Sequence, residues 1–238
     1  MSELYASNRT YHVPQQQMAL LPNYYRWVYG WVRPHLHGTI VEVGCGAGHG
    51  IACYLGTATQ IYAVDHDPVL IAAVRHRFSP AKVQAICADV TRAWDRLEHL
   101  RADAVLLMDV LEHLEDDRSM LAKSRSLLKR GGVVVLKVPA HRKLYGPMDQ
   151  ASGHYRRYDA ADLLAVARDA NLEPVLLRYI NPVGALVYLA KKGRTTNFSR
   201  SFSPRKLNLI NRGLPILRIF DRLALPLGLS IVAVFRAI

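Results

Sequence analysis

Three glycines at alternate positions follow an acid in the run Val41-Glu42-Val43-Gly44-Cys45-Gly46-Ala47-Gly48. Glycine in that pattern lets the chain turn sharply, and lets backbone N–H groups approach a ligand with no Cβ in the way. Further along, acids stand at the ends of apolar segments: Asp65 in Val64-Asp65-His66-Asp67, Asp89 in Ala88-Asp89-Val90, and Asp109 in Asp109-Val110-Leu111-Glu112-His113. Asp65 is positioned to accept hydrogen bonds from both hydroxyls of a ribose, and Asp89 from an exocyclic adenine amine. A dinucleotide does not suit the spacing. The pattern G-x-G-x-x-G would need glycine at His49 if read from Gly44, or at Ile51 if read from Gly46. No G-K-S/T phosphate loop is present either. The chemistry indicated is the binding of a nucleoside-bearing cofactor that lacks a pyrophosphate.

The elements that must hold these residues alternate strictly. Strand-like runs at Thr39–Val43, Gln60–Val64, Lys82–Cys87, Ala102–Met108 and Val133–Val138 are interleaved with helical segments at Ala47–Leu55, Pro68–Phe78 and about Asp116–Leu128, the last stopped by Gly131-Gly132. Apolar strands of this kind suit a parallel sheet covered on both faces, and the alternation predicts a doubly wound α/β fold. Its ligands then bind at the carboxyl ends of the strands, where Glu42, Asp65, Asp89 and Asp109 stand. A polar loop covers His141–Tyr158, a helix Asp159–Asn171 with Asp159 as N-cap, and strands Pro174–Tyr179 and Leu229–Phe235. Upstream, Tyr24, Trp27, Val28 and Trp31 fall on one helix face that Pro34 and Gly38 end. That face packs on the main domain, with Tyr24 and Tyr25 as walls of a substrate pocket. The division expected is an N-terminal helical segment over 1–38, a core over 39–181, a basic helical lid over 182–226 and a last core strand over 227–238.

Glu42-x-Gly44-x-Gly46-x-Gly48, Asp65, Asp89 and Asp109–His113 together resemble the motif series of class I S-adenosylmethionine (SAM)-dependent methyltransferases. The resemblance is close over about residues 39–139. It implies a Rossmann-like, mostly parallel seven-stranded sheet, SAM as cofactor and S-adenosylhomocysteine as product. By the same resemblance Gly44, Cys45, Gly46 and Gly48 pass under the methionine part, and Glu42 faces its amino group directly or through water. Asp65 holds the ribose, His66 lies against adenine, Asp89 and Val90 border the adenine edge, and Asp109 closes the set.

The segment from Pro139 to Tyr158 resembles a P-x-H…D…G-H-x-R-R-Y loop found in a subset of small-molecule methyltransferases. The resemblance implies that it borders methyl donor and acceptor. Histidine suits the removal of an acceptor proton near neutral pH, with His154 the first choice and His141 the second. Asp149 could orient either, and Arg157 and Tyr158 could hold an acceptor carboxylate or phosphate. The same residues would equally serve as a network tying the loop to the sheet.

Charge is uneven. The net charge is +12, with 15 basic against 13 acidic residues up to position 139 and 16 against 6 beyond it. The basic end suits an acidic or phosphorylated acceptor. Its apolar residues, including Leu207, Ile210, Leu214 and Phe220, also suit peripheral contact with an anionic membrane carrying a lipid-linked acceptor. Arg218, Asp221 and Arg222 interrupt the longest apolar stretch there, so no membrane span is expected. The opening residues lack a signal-peptide pattern, and three cysteines without metal-ligand spacing suit a reduced cytoplasmic protein with no metal. N-P-P-Y is absent and no RNA-binding module is evident, so nucleic acid is not expected as a partner. The expectation is O- or N-methylation of a small molecule, in secondary metabolism, with a non-catalytic SAM-binding protein as the contrasting class.

Overall fold

The computed structural model describes residues 17–190, 203–223 and 225–238. Seven strands form one sheet: β1 (Gly38–Val43), β2 (Ala58–Asp65), β3 (Val83–Cys87), β4 (Ala102–Met108), β5 (Leu128–Pro139), β6 (Leu172–Ile180) and β7 (Ser230–Ala237). Their order is β3-β2-β1-β4-β5-β7-β6. β1 to β5 pair in parallel, and β7 runs antiparallel between β5 and β6.

Successive strand residues point to opposite faces, so an apolar run feeds two cores at once. Val41, Val43, Val134, Leu136 and Val138 enter one core, beneath α3 (Asp117–Ser126) and α5 (Ala160–Asp169). Ile40, Val133 and Val135 enter the other, beneath α1 (Pro22–Val32) and α2 (Pro68–Arg77). Local sequence starts the helices where expected. Asp67 caps α2 by accepting from Val69 N–H at 2.7 Å, ahead of a proline whose missing N–H costs nothing there. Asp159 is the N-cap of α5, and the Asp162 carboxylate accepts its N–H at 3.1 Å.

Two expectations fail locally. Ala47–Leu55 is not an α-helix, and only a 3₁₀ turn at Ile51–Cys53 forms. Gly48 has φ +73°, and a side chain at Gly50 would collide with the Tyr29 hydroxyl, so the chain is held in a loop against α1. Gly131-Gly132 do not stop α3. The helix ends at Ser126, β5 begins at Leu128, and Gly131, with φ +74°, lies within the strand where its register against β4 shifts.

The polar loop holds a short helix, α4 (Pro147–Ala151). Over the carboxyl end of the sheet lie α6 (Pro182–Ala190), α7 (Pro204–Leu217) and a 3₁₀ turn at Arg218–Leu223. Lys191, Lys192, Arg194 and Arg200, expected in the lid, lie outside the described residues. α1 is tied to this region. Asn23 and Asn211 exchange two hydrogen bonds of 2.9 Å, and Trp27 Nε1–H donates to Asp221.

Candidate active site

The glycine loop leaves β1 at the point where the strand order reverses, between β1 and β4. Open α/β sheets bind ligands at such crevices. Gly44, Gly46 and Gly48 all have positive φ, at +70°, +55° and +73°. At Gly44 a Cβ would also lie 2.4 Å from Val110, so glycine is required there on two counts.

Asp65, at the end of β2, is buried beside this loop. One oxygen accepts from Gly46 N–H at 2.9 Å and the other from Asp67 N–H at 3.0 Å. It therefore braces the loop and stands at the edge where a ribose would lie. His66 is partly exposed next to it, with Nδ1 3.4 Å from Asp65 Oδ1. Asp89 sits on the open side after β3, accepting from Thr91 N–H at 2.9 Å and Thr91 Oγ1 at 2.6 Å. Partial burial alone would raise its carboxyl, but the Thr91 hydrogen bonds outweigh that and hold it below its ordinary range. Val90 packs against the core, and the Cys45 thiol is buried with its pKa pushed up by that burial.

Glu42 differs from expectation. Its Oε1 accepts from the Tyr29 hydroxyl at 2.5 Å and its Oε2 from the Tyr54 hydroxyl at 2.8 Å, all in the core. The two phenols, stacked 5.8 Å apart, take the oxygens assigned to the amino group of the cofactor. Burial pushes the Glu42 carboxyl up to about 7, opposed by the two tyrosine hydrogen bonds.

Asp109 has φ +57° and turns its half-exposed carboxylate onto Lys137 of β5, which is buried. Burial would lower the lysine, but the Asp109 carboxylate outweighs it and keeps the ammonium charged. Lys137 Nζ also lies 5.7 Å from the centre of the Tyr24 ring. Tyr24 and Lys137 line a cavity of about 350 Å³ walled also by Trp27, Pro139, Met148, Arg157, Ile180 and Tyr188, and covered by Ile210 and Leu214 of α7. Most of that lining is apolar.

Of the residues expected to meet an acceptor, Tyr24 and Arg157 line this cavity. Tyr25 does not, and packs near His49 and Tyr29. Tyr158 lies in the core, its hydroxyl donating to Asp117 at 2.8 Å, which corrects its expected contact with an acceptor. His141 stacks on Tyr179 and His154 turns to Asp149, so neither forms part of the cavity wall. Asp149 is the hub of the loop. It is 1% exposed and binds Arg157 Nε, His154 Nδ1 at 3.0 Å, the Tyr188 hydroxyl at 3.0 Å and Gly146 N–H at 3.0 Å. Burial would raise its carboxyl, but His154 and Arg157 bring it down to about 2. The guanidinium of Arg157 lies 4.3 Å from the centre of the Tyr188 ring.

Sequence reasoning missed Lys137 and Tyr188. Lys137 carried a signal, as the one charge in the otherwise apolar run Val133–Val138. Tyr188 carried none.

Residues 41–136 match the methyltransferase domain family. Within those residues the chain carries a methyltransferase domain, and the curated relatives that match the chain are SAM-dependent. Its cofactor is SAM. The glycine loop and the Asp65–Asp89 edge fit a nucleoside cofactor of that kind. A probable SAM-dependent methyltransferase of Mycobacterium tuberculosis is 28% identical over 142 residues, 58% of this chain and 50% of its own. The chain thus spans about half the length of the curated relatives it matches. A SAM-dependent methyltransferase from Archaeoglobus fulgidus superposes with TM-score 0.63 at 16% identity, over 90% of this chain and 94% of its own. The N-methyltransferase NodS of Bradyrhizobium japonicum, solved with S-adenosylhomocysteine, does so with TM-score 0.55 at 14% identity, over 98% and 89%.

Proposed function

We propose that this methyltransferase moves the methyl group of SAM to a small-molecule acceptor, at oxygen or nitrogen, held in the cavity beside Lys137. The observation that carries the reading is the mostly apolar cavity of about 350 Å³ lined by Lys137, whose ammonium is paired with Asp109. Its size and lining suit a compact acceptor with an apolar body and one polar or anionic group, which Lys137 and Arg157 would face. The relatives' names support methyl transfer.

SAM, when bound, supplies a methyl group already activated by its positive sulfur. The protein's share is placement. Asp65 holds the glycine loop in register, Asp109 fixes Lys137 in the cavity wall, and Tyr24, Trp27 and Tyr188 exclude water. Alignment of this kind can lower a barrier by about 7–11 kcal/mol. Titration calorimetry should show SAM binding and no NAD binding. Incubation with methyl-labelled SAM and a panel of hydroxyl and amine acceptors should then transfer label. Tighter binding of NAD, or SAM binding with no transfer to any acceptor, would overturn the reading.

A second reading concerns where the acceptor comes from. Leu186, Val187, Leu209, Ile216, Ile219 and Phe220 are exposed on α6, α7 and the turn after it, among exposed Arg205, Lys206, Arg212, Arg218 and Arg222. Apolar side chains set among cations suit an anionic bilayer surface and a lipid-linked acceptor. Among the described residues no helix is long and apolar enough to cross a membrane. Sedimentation with phosphatidylglycerol vesicles, but not with phosphatidylcholine vesicles, would support this reading, and sedimentation with neither would remove it.

A further inference from the structure

Two histidines and a carboxylate converge outside the cavity wall, and methyl transfer as described gives them no task. Glu112, in the turn after β4, is 1% exposed, and its Oε2 has no hydrogen-bond partner. A buried carboxylate oxygen left in that condition is costly, so it implies a missing partner. One donor atom each from Glu112, His113 and His154 lies within 4.8 Å of the other two. The imidazoles meet edge to face, with ring centres 4.7 Å apart.

One nitrogen of each ring already has an acceptor beside it. His154 Nδ1 lies 3.0 Å from Asp149 Oδ1, in a carboxylate that Arg157 keeps ionised. His113 is hydrogen-bonded to the backbone carbonyl of Gly153. Both acceptors demand an N–H, so in the neutral rings the other nitrogens present lone pairs. Supports of this type, a carboxylate or a carbonyl behind each imidazole, are what orient metal-binding histidines. The backbone fixes the convergence as well. Tyr155 N–H donates to Glu112 O at 2.8 Å, His154 N–H to Asp149 O at 2.9 Å, and the Tyr145 hydroxyl to His154 O at 2.8 Å. A purely structural network would leave Glu112 Oε2 orphaned.

We propose that Glu112, His113 and His154 bind a divalent first-row transition-metal ion, with Asp149 and Gly153 supporting the two histidines. The proposal departs from the expectation from sequence that no metal is bound. Two imidazoles and one carboxylate favour zinc, iron or cobalt over magnesium or calcium, whose preferred ligands are all oxygens. Three protein ligands leave a position for water. The cluster was hidden in the sequence because His154 lies 41 residues from His113 and only α4 and its flanking loop bring it back.

The test uses the whole, tag-free chain, stripped by chelator and titrated with Co²⁺. One equivalent should bind with visible d–d absorption, and Zn²⁺ should displace it. Proton NMR of the Co²⁺ form should show two hyperfine-shifted exchangeable imidazole N–H signals, from His113 and His154. Glu112→Gln preserves shape and should weaken Co²⁺ binding at least about tenfold, and His154→Gln should remove one of the shifted signals. If either variant unfolds by circular dichroism, the wild-type spectrum decides alone. Absence of stoichiometric binding, fewer than two shifted N–H signals in the wild type, or a folded Glu112→Gln of unchanged affinity would overturn the proposal.

Discussion

Replacing Glu42 with glutamine should make the protein more tolerant of alkaline pH. The buried carboxyl has its pKa raised from 4.5 to about 7, chiefly by burial, while Tyr29 and Tyr54 pull the other way. A carboxyl whose folded pKa exceeds its unfolded one contributes stability that is full below 4.5 and is lost as pH rises through 7. The whole loss is about 3.4 kcal/mol, from 2.5 units at 1.36 kcal/mol each, and linkage puts about 2.5 kcal/mol of it between pH 5 and pH 8. Glutamine keeps the shape and an oxygen for the Tyr29 hydroxyl, and the Tyr54 hydroxyl can turn to accept from the amide. It has no proton to lose. Urea unfolding of both proteins at pH 5 and pH 8 gives four stabilities. Other titrating groups are common to both chains and cancel in the double difference. The variant should gain about 2.5 kcal/mol on the wild type between those pH values. Parallel stabilities, within about 0.5 kcal/mol, would show that Glu42 is already ionised in the folded protein, and would refute the argument from burial.

Asp149→Asn should cost about 3–5 kcal/mol in chemical denaturation, because it leaves the buried Arg157 without its carboxylate. It should also remove an acid-side loss, since a carboxyl held down at about 2 contributes stability present above its ordinary 3.8 and lost as pH falls through 2. Equal acid denaturation profiles would count against this. Asp65→Ala should weaken SAM binding at least about tenfold by calorimetry, through loss of the brace on Gly46 and of the ribose acceptor, and unchanged affinity would refute that role. Gly44→Ala should destabilise by about 1–3 kcal/mol, from a left-handed φ and a Cβ 2.4 Å from Val110. Val110→Ala should recover only the part due to the clash, so full recovery would show that the backbone angle costs nothing.

The alternation of apolar runs with helix starters determined the doubly wound sheet, because the two periods of strand and helix are local and the parallel strands need apolar side chains on both faces. Alternating glycines and acids at strand ends marked the cofactor edge for the same reason: each does its work within a few residues of its own backbone. Local signals failed where a distant neighbour set the outcome. Ala47–Leu55 has the composition of a helix, yet Gly48 in the left-handed region and Tyr29 packed over Gly50 keep it a loop. Gly131 resembled a helix stop and is a kink inside β5. The partners of the polar groups belonged to tertiary structure entirely. Tyr29 and Tyr54 take Glu42, Lys137 takes Asp109, Tyr188 joins Asp149 from another helix, and His154 returns to Glu112 and His113. A charge leaves water only where its partner is already in place, and which segments meet is decided by the packing of the two cores, not by the order of residues along the chain.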